Sequence, residues 1–258
     1  MPYVALAHAG RVHYAERGER RAGRPSAVLI HGAGASSAIW MMVLARVARA
    51  GHAVAIDLPA HGPSSSVGTA LDGARGLTLT RYRDAVGELA GTLCLGPSLL
   101  VGHSMGALVA IEAALAWPDK VRGLVLCAAA PRLPVDPELE RLLRDDPSAV
   151  PAWLAAHALS PRAKPAIRRG FLAAGDVTPA DVTRADFAIV AATDLGDRIG
   201  GLSCPVTWID GADDRIVAPA EGRRGEIVTA PDVGHLTPIE APAAVANAVA
   251  AAMGVAAA

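Results

Sequence analysis

Short apolar runs punctuate this chain: SAVLIH (26–31), HAVAID (52–57), SLLVGH (98–103), VRGLVLCAAA (121–130), CPVTWID (204–210) and GEIVTA (225–230). Most are rich in Val, Leu and Ile without polar alternation, so they predict strands buried on both faces. Helically spaced segments lie between several of them. Ser36 or Ser37 caps a helix to about Ala50, with Ile39, Trp40, Val43 and Val47 on one side. RYRDAVGELAGTLC (81–94) is a second helix, and MGALVAIEAALAWP a third, stopped by Pro118. PIEAPAAVANAVAAAM supplies a closing helix with a frayed tail. Strands alternating with helices predict an α/β fold with a mainly parallel, doubly wound sheet. Residues 3–8 and 11–17 flank Ala9-Gly10 and read as an antiparallel hairpin at one end of it.

The stretch 131–201 breaks this rhythm. It contains no good strand, and Pro131, Pro134, Pro137, Pro147, Pro151, Pro161, Pro165 and Pro179 separate short helix-like pieces. The expected organisation is therefore a core domain built from 1–130 and 202–258, with an α-helical cap, or lid, inserted at 131–201. That cap lies over the carboxyl ends of the strands, where ligands bind in such sheets. A chain of 258 residues that is 52% hydrophobic can build one large core of this kind. Aromatics are only 3%, so that core must be Ala, Val and Leu.

A net charge of −1, with acids and bases interspersed, gives no surface for nucleic acid. Cys94, Cys127 and Cys204 are odd in number and form no CxxC pair, which suits buried thiols in a reducing compartment. No membrane span or basic-headed leader is evident, so a cytoplasmic location is expected.

The chemistry centres on Gly102-His103-Ser104-Met105-Gly106, a G-x-S-x-G pattern between an apolar strand and a helix. A sharp strand-to-helix turn strains the central residue and pushes its side chain outward. Neighbours two positions away must lack side chains. A serine so exposed, at a helix N-terminus, is a candidate nucleophile and needs a base. Of eight histidines, His235 in PDVGHLTPIEAP follows the last strand, at the same sheet edge as Ser104. His103 reads as a turn residue. An orienting acid is available after the preceding strand, in WIDGADDRIVAP, as Asp210, Asp213 or Asp214. The loop HGAGAS (31–36) supplies a second oxyanion donor, so the amides of Ala33 and Met105 are the candidates.

The same loop imitates a dinucleotide site, because Gly32-x-Gly34 follows a strand and Asp57 ends the next one. Ser37 stands where the third glycine belongs, however, and a hairpin precedes the unit. Asp57 is better read as an anchor for loop 58–66. No HExxH, Cys/His pair or P-loop lysine occurs, so neither metal nor cofactor is expected.

Taken in order, HGAGASSAIW, DLPAHGPS, GHSMG, GADDRIVAP and GHLTPIEAP resemble the α/β-hydrolase superfamily, in its lid-bearing serine esterase-like branch. The resemblance covers nearly the whole chain. It implies Ser104 as nucleophile and His235 as base, and it puts the acid at Asp214 through a G-x-x-D motif. Ala60 departs from the family's usual Gly in DLPAHG. Only 21 positions separate Asp214 from His235, so the helix between the last two strands must be shrunken, near AEGRR, and an exposed sheet edge or a partner surface is expected there.

The implied activity is cleavage of a carboxylic ester or related acyl bond of a small apolar substrate through an acyl-enzyme. A carbon–carbon bond hydrolase, lactonase, lyase or cofactor-free perhydrolase would use the same residues, and a ligand receptor could retain them as a vestige. Trp40, together with Trp153, His157 and Phe187 of the lid, is expected to line the pocket. The expected partner is a small-molecule acyl substrate, with neither nucleic acid nor membrane involved, and the chain is expected as monomer or homodimer.

Overall fold

The computed structural model describes residues 2–66, 74–174, 178–219 and 223–255. Its eight strands are β1 (Tyr3–Leu6), β2 (Gly10–Arg17), β3 (Ala27–Ile30), β4 (Ala53–Ile56), β5 (Ser98–His103), β6 (Val121–Cys127), β7 (Val206–Gly211) and β8 (Glu226–Ala230). They form one sheet in the order β1-β2-β4-β3-β5-β6-β7-β8. The hairpin β1–β2 is antiparallel and joins β4 antiparallel, while every pairing from β4 to β8 is parallel. The chain leaves β3 towards β4 on one side and returns to β5 on the other. The crevice at such a reversal lies between the loops after β3 and β5, beyond the strands' carboxyl ends.

Alternating side chains explain the layers. Val28, Ile30, Val54, Ile56, Leu100, Leu124 and Leu126 share one buried cluster, with Tyr82, Val86 and Leu89 of α2 (Leu79–Thr92) and Leu108 and Ile111 of α3 (Met105–Ala116), the second and third helices of the chain. Ala27, Leu29, Ala53, Ala55, Leu99, Val101 and Val125 point the other way. They meet the first helix, α1 (Met41–Val47), and the last, α9 (Pro242–Ala252). Trp40, the residue before α1, is fully buried in this second layer and does not line the cavity described below. The expectation that it lines the pocket is thus corrected. Helical spacing puts Trp40 on the same side as Val43 and Val47, and that side faces the sheet.

The segment between β6 and β7 contains α4 (Pro137–Asp145), α5 (Val150–His157), α6 (Pro165–Ala174) and α7 (Ala180–Ala192). Several of its prolines open helices rather than separate them. Pro137, Pro151 and Pro165 sit in first turns, where a missing N–H is harmless and a fixed φ helps. The two ends of the segment meet, because Arg132 bridges Asp194 and the Leu195 amide donates to the Pro131 carbonyl (3.0 Å).

Between β7 and β8 no helix occurs among the described residues, and Ala220, Glu221 and Gly222 of the expected short helix lie outside them. So do residues 67–73 of the loop after β4 and the tail 256–258. Among the described residues β8 pairs only with β7, and Ile227 on it is 50% exposed. The short helix α8 (Thr237–Glu240) lies between β8 and α9. Among the described residues no helix is long and apolar enough to cross a membrane.

Candidate active site

β5 ends at His103 and α3 starts at Met105, leaving one residue for the turn. That residue, Ser104, has φ 53° and ψ −119°, a strained conformation for any residue with a side chain. The two flanking glycines are obligatory. A Cβ on Gly102 would lie 2.4 Å from the Gly106 carbonyl oxygen, and one on Gly106 would lie 2.3 Å from that of Ile30. The Ser104 amide donates to the Cys127 carbonyl of the neighbouring strand (3.0 Å), which fixes the turn against β6. Among the described residues the Ser104 hydroxyl makes no hydrogen bond; Ser104 lines a cavity of about 1190 Å³.

His235 lines the same cavity. Its Nδ1 donates to Asp214 Oδ2 (3.0 Å), and its Nε2 has no partner among the described residues. The backbone is held on both sides: the His235 amide donates to Ala158 O (2.7 Å), and its carbonyl accepts from His103 Nε2 (2.9 Å). Asp214 Oδ1 accepts from the amides of Ile216 (2.8 Å) and Val217 (3.0 Å). Burial pushes the Asp214 carboxyl pKa up. The hydrogen bond and charge of His235, with the two amides, outweigh burial and hold it below the usual carboxylate value.

The other two candidate acids, Asp210 on β7 and Asp213 in the loop after it, are occupied elsewhere. Asp210 makes a bidentate pair with Arg223 (2.9 and 2.7 Å). Asp213 accepts from Ser160 Oγ (2.6 Å) and Arg162 (2.6 Å). Of the three, only Asp214 reaches His235. His103 is buried, and its pKa is lowered to about 3 by burial and by repulsion from His235.

The loop after β3 borders Ser104 because Ile30 is in register with Gly102. Ala33 lines the cavity, and its amide donates to no group among the described residues. Met105 is the first residue of α3, where an amide has no partner within the helix, and its side chain is buried beneath. Asp57, the acid of the imitated dinucleotide motif, is fully buried. It accepts from the Ser37 amide (2.5 Å), from Ser37 Oγ (3.0 Å) and from His13 Nδ1, and its carbonyl accepts from Ser64 Oγ (3.0 Å). It anchors loops and has no face left for a ribose.

Trp153, His157 and Phe187 line the cavity, with the Trp153 and His157 rings stacked at 4.2 Å. The sequence reading missed Ile39, Leu133, Val135, Leu139, Phe171 and Ile216, which join them. The apolar stripe of α4 signals a buried face, though not what it faces. The reading also missed Asp186, a fully buried carboxylate on α7 that contacts the loop after β3.

The sheet order, the turn at Ser104 and the helices of the 131–201 segment define an α/β hydrolase architecture. The profile of the Alpha/beta hydrolase family matches residues 27–248, and the chain belongs to that family. Among its relatives is the pimeloyl-[acyl-carrier protein] methyl ester esterase of Pseudoalteromonas atlantica, 26% identical over 75% of this chain and 77% of that protein. The (E)-2-((N-methylformamido)methylene)succinate hydrolase of Acinetobacter baylyi is 32% identical, over 48% of this chain and only 43% of its own length. The enol-lactonase of Burkholderia xenovorans has the same fold, with a TM-score of 0.85 at 22% identity, covering 98% of this chain and all (100%) of that one. A thermophilic esterase from Thermogutta terrifontis superposes with a TM-score of 0.82 at 22% identity, covering 96% and 97%.

Proposed function

We propose that the protein is a serine hydrolase of carboxylic esters, lactones included as cyclic esters, with Ser104 as nucleophile. One observation carries this reading: Ser104, in a strained turn, shares a cavity with a histidine whose far nitrogen is free and whose near nitrogen is held by Asp214.

His235 takes the Ser104 proton as the oxygen attacks the substrate carbonyl. Asp214 fixes the tautomer, so that Nδ1 carries hydrogen and Nε2 accepts, and it stabilises the imidazolium that forms. The amides of Ala33 and Met105 hold the oxyanion. His235 protonates the leaving alcohol, then activates water to release the acid and regenerate Ser104. The 131–201 segment acts as the cap of this site, its helices supplying Trp153, His157 and Phe187. The size and the apolar lining of the cavity favour an acyl chain longer than acetyl.

A fluorophosphonate probe should label the purified protein, and Ser104→Ala should abolish labelling. Labelling that survives the substitution overturns the assignment. Across nitrophenyl esters, kcat/KM should rise from acetyl towards octanoyl. A monotonic fall would show that the cavity does not receive the acyl chain.

A further inference from the structure

Helix α7 is bolted to the loop after β3. Thr178, just before the helix, donates its hydroxyl to Ala35 O (3.1 Å). Thr183 covers Gly34 so closely that a Cβ there would come within 2.8 Å of the threonine methyl. Asp186, one turn on, accepts the Gly34 amide at Oδ2 (2.8 Å). The same oxygen takes His61 Nε2 (2.7 Å), and Oδ1 takes the Tyr82 hydroxyl (2.5 Å). One carboxylate thus gathers the loop after β3, the loop after β4 and helix α2.

The loop it grips is a tight turn. The Ala35 amide donates to Gly32 O (3.2 Å), and Gly34 has φ 64°. In such a turn the peptide between the two central residues sets the backbone angle of the residue before it. Here that peptide joins Ala33 to Gly34. The preceding peptide, Gly32–Ala33, carries the Ala33 N–H. Its carbonyl accepts from the Ala35 amide and from His31 Nδ1 (2.9 Å), whose Nε2 accepts the Leu58 amide (3.0 Å). The Gly34 contact sets the angle at Ala33 between the two peptides. Stability alone is a poor reason for Asp186. Burying a carboxylate and a histidine costs desolvation that an apolar pair of the same volume avoids.

We propose that Asp186 is a positioning residue for the oxyanion hole: by accepting the Gly34 amide from α7, it holds the Ala33 N–H aimed at the reacting carbonyl. The cap is then part of the catalytic frame, because α7 cannot lift without releasing this turn. This rests on the reading of Ser104 as nucleophile and Ala33 as donor.

The test compares three variants by nitrophenyl ester kinetics, fluorophosphonate labelling rate and melting temperature. Asp186→Ala should lower kcat and labelling rate about 10- to 100-fold with KM little changed, the loss expected for a misplaced oxyanion donor. Asp186→Asn keeps an oxygen where the Gly34 and His61 donors converge, and should recover to within about fivefold of the parent. Tyr82→Phe loosens the same carboxylate without touching Gly34, and should stay within about twofold. Loss of melting temperature with parental kcat in Asp186→Ala overturns the proposal, as does a fall in all three variants in step with stability. Labelling that persists in Ser104→Ala overturns the underlying reading instead. Should Asp186→Ala fail to fold, hydrogen exchange in the unmodified protein decides. Gly34 should be protected like the core strands, and exchange at a free loop's rate overturns the proposal.

Discussion

Two histidine–aspartate pairs among the described residues are joined through Nδ1, and they have opposite surroundings. In both, a ring Nδ1 bonds an aspartate Oδ2 below the protein surface. In the first a serine is bonded to the acid, and in the second a serine lines the same cavity as the histidine. At the hairpin end of the sheet, His13 and Asp57 are fully enclosed: Ser37 donates its hydroxyl to the carboxylate, and His13 Nε2 is buried with no partner among the described residues. At the carboxyl ends of β5 and β7, His235 keeps Nε2 free beside a cavity, and the Ser104 hydroxyl is uncommitted. A pair of this kind becomes a candidate site only when its far nitrogen and a hydroxyl both meet space for a substrate. Where the hydroxyl is spent on the acid, no base polarises it.

The sharpest way to break this contrast is to remove the reacting groups. Ser104→Ala and His235→Ala should each lower kcat about 10⁴-fold or more in ester hydrolysis, with both proteins folded. Asp214→Asn should cost about as much or somewhat less, up to about 10⁴-fold, because the imidazole loses the partner that selects its tautomer. At the other end, Asp57→Asn should cost stability instead. Breaking a buried, multiply bonded pair is worth about 3–5 kcal/mol in chemical denaturation, while kcat per folded molecule should stay within about threefold. If Asp57→Asn were as inactive per folded molecule as Asp214→Asn, the distinction between the two pairs would fail.

The Asp214 pKa lies below its unfolded value, so the stability it contributes is present above about pH 4 and is lost as pH falls through the folded pKa. Asp214→Asn should therefore flatten the acid limb of the stability curve. An unchanged limb would mean that His235 and the two amides do not favour the ionised carboxylate.

Much of this arrangement was legible in the sequence because steric rules act locally. Gly102 and Gly106 had to flank Ser104, whatever the rest of the fold, since backbone carbonyls occupy the space of their missing side chains. Runs such as AVLI and AVAI announced a sheet covered on both faces. The acid was not legible from spacing. Asp210 near the end of β7 and Asp213 and Asp214 just after it lie within five positions, and their roles are divided by Arg223, Ser160 and Arg162. Trp40 was misjudged because a helix pattern identifies the apolar side and not whether that side meets a sheet or a cavity. Asp186 carried no local signal at all, since its partners Gly34, His61 and Tyr82 lie 104 to 152 positions away.

The smallest expected effect lies inside the site, between neighbouring histidines. His103 and His235 both line the cavity, with ring centroids 5.1 Å apart. Among the described residues His235 Nε2 makes no hydrogen bond; it is the nitrogen proposed above to take the Ser104 proton. His103 spends its Nε2 hydrogen on the His235 carbonyl, and its Nδ1 is buried and has no partner among the described residues. Burial and the neighbouring His235 push its pKa down to about 3, so it is neutral at any pH where the enzyme would work. The unfolded chain binds that proton near pH 6.5, so between about pH 3 and 6.5 unfolding takes up a proton. Stability is then complete above about pH 6.5 and falls as pH drops towards 3, at about 1.4 kcal/mol per unit for this one group. Gln at this position can still donate to the carbonyl but cannot titrate. His103→Gln should therefore lower kcat less than about tenfold, far less than His235→Ala, and remove one proton's worth of slope between about pH 4 and 6. His31, buried with its pKa also lowered, leaves the remaining slope in place. A large loss of kcat with an unchanged slope would reverse the assignment and make His103 the titrating partner of Ser104.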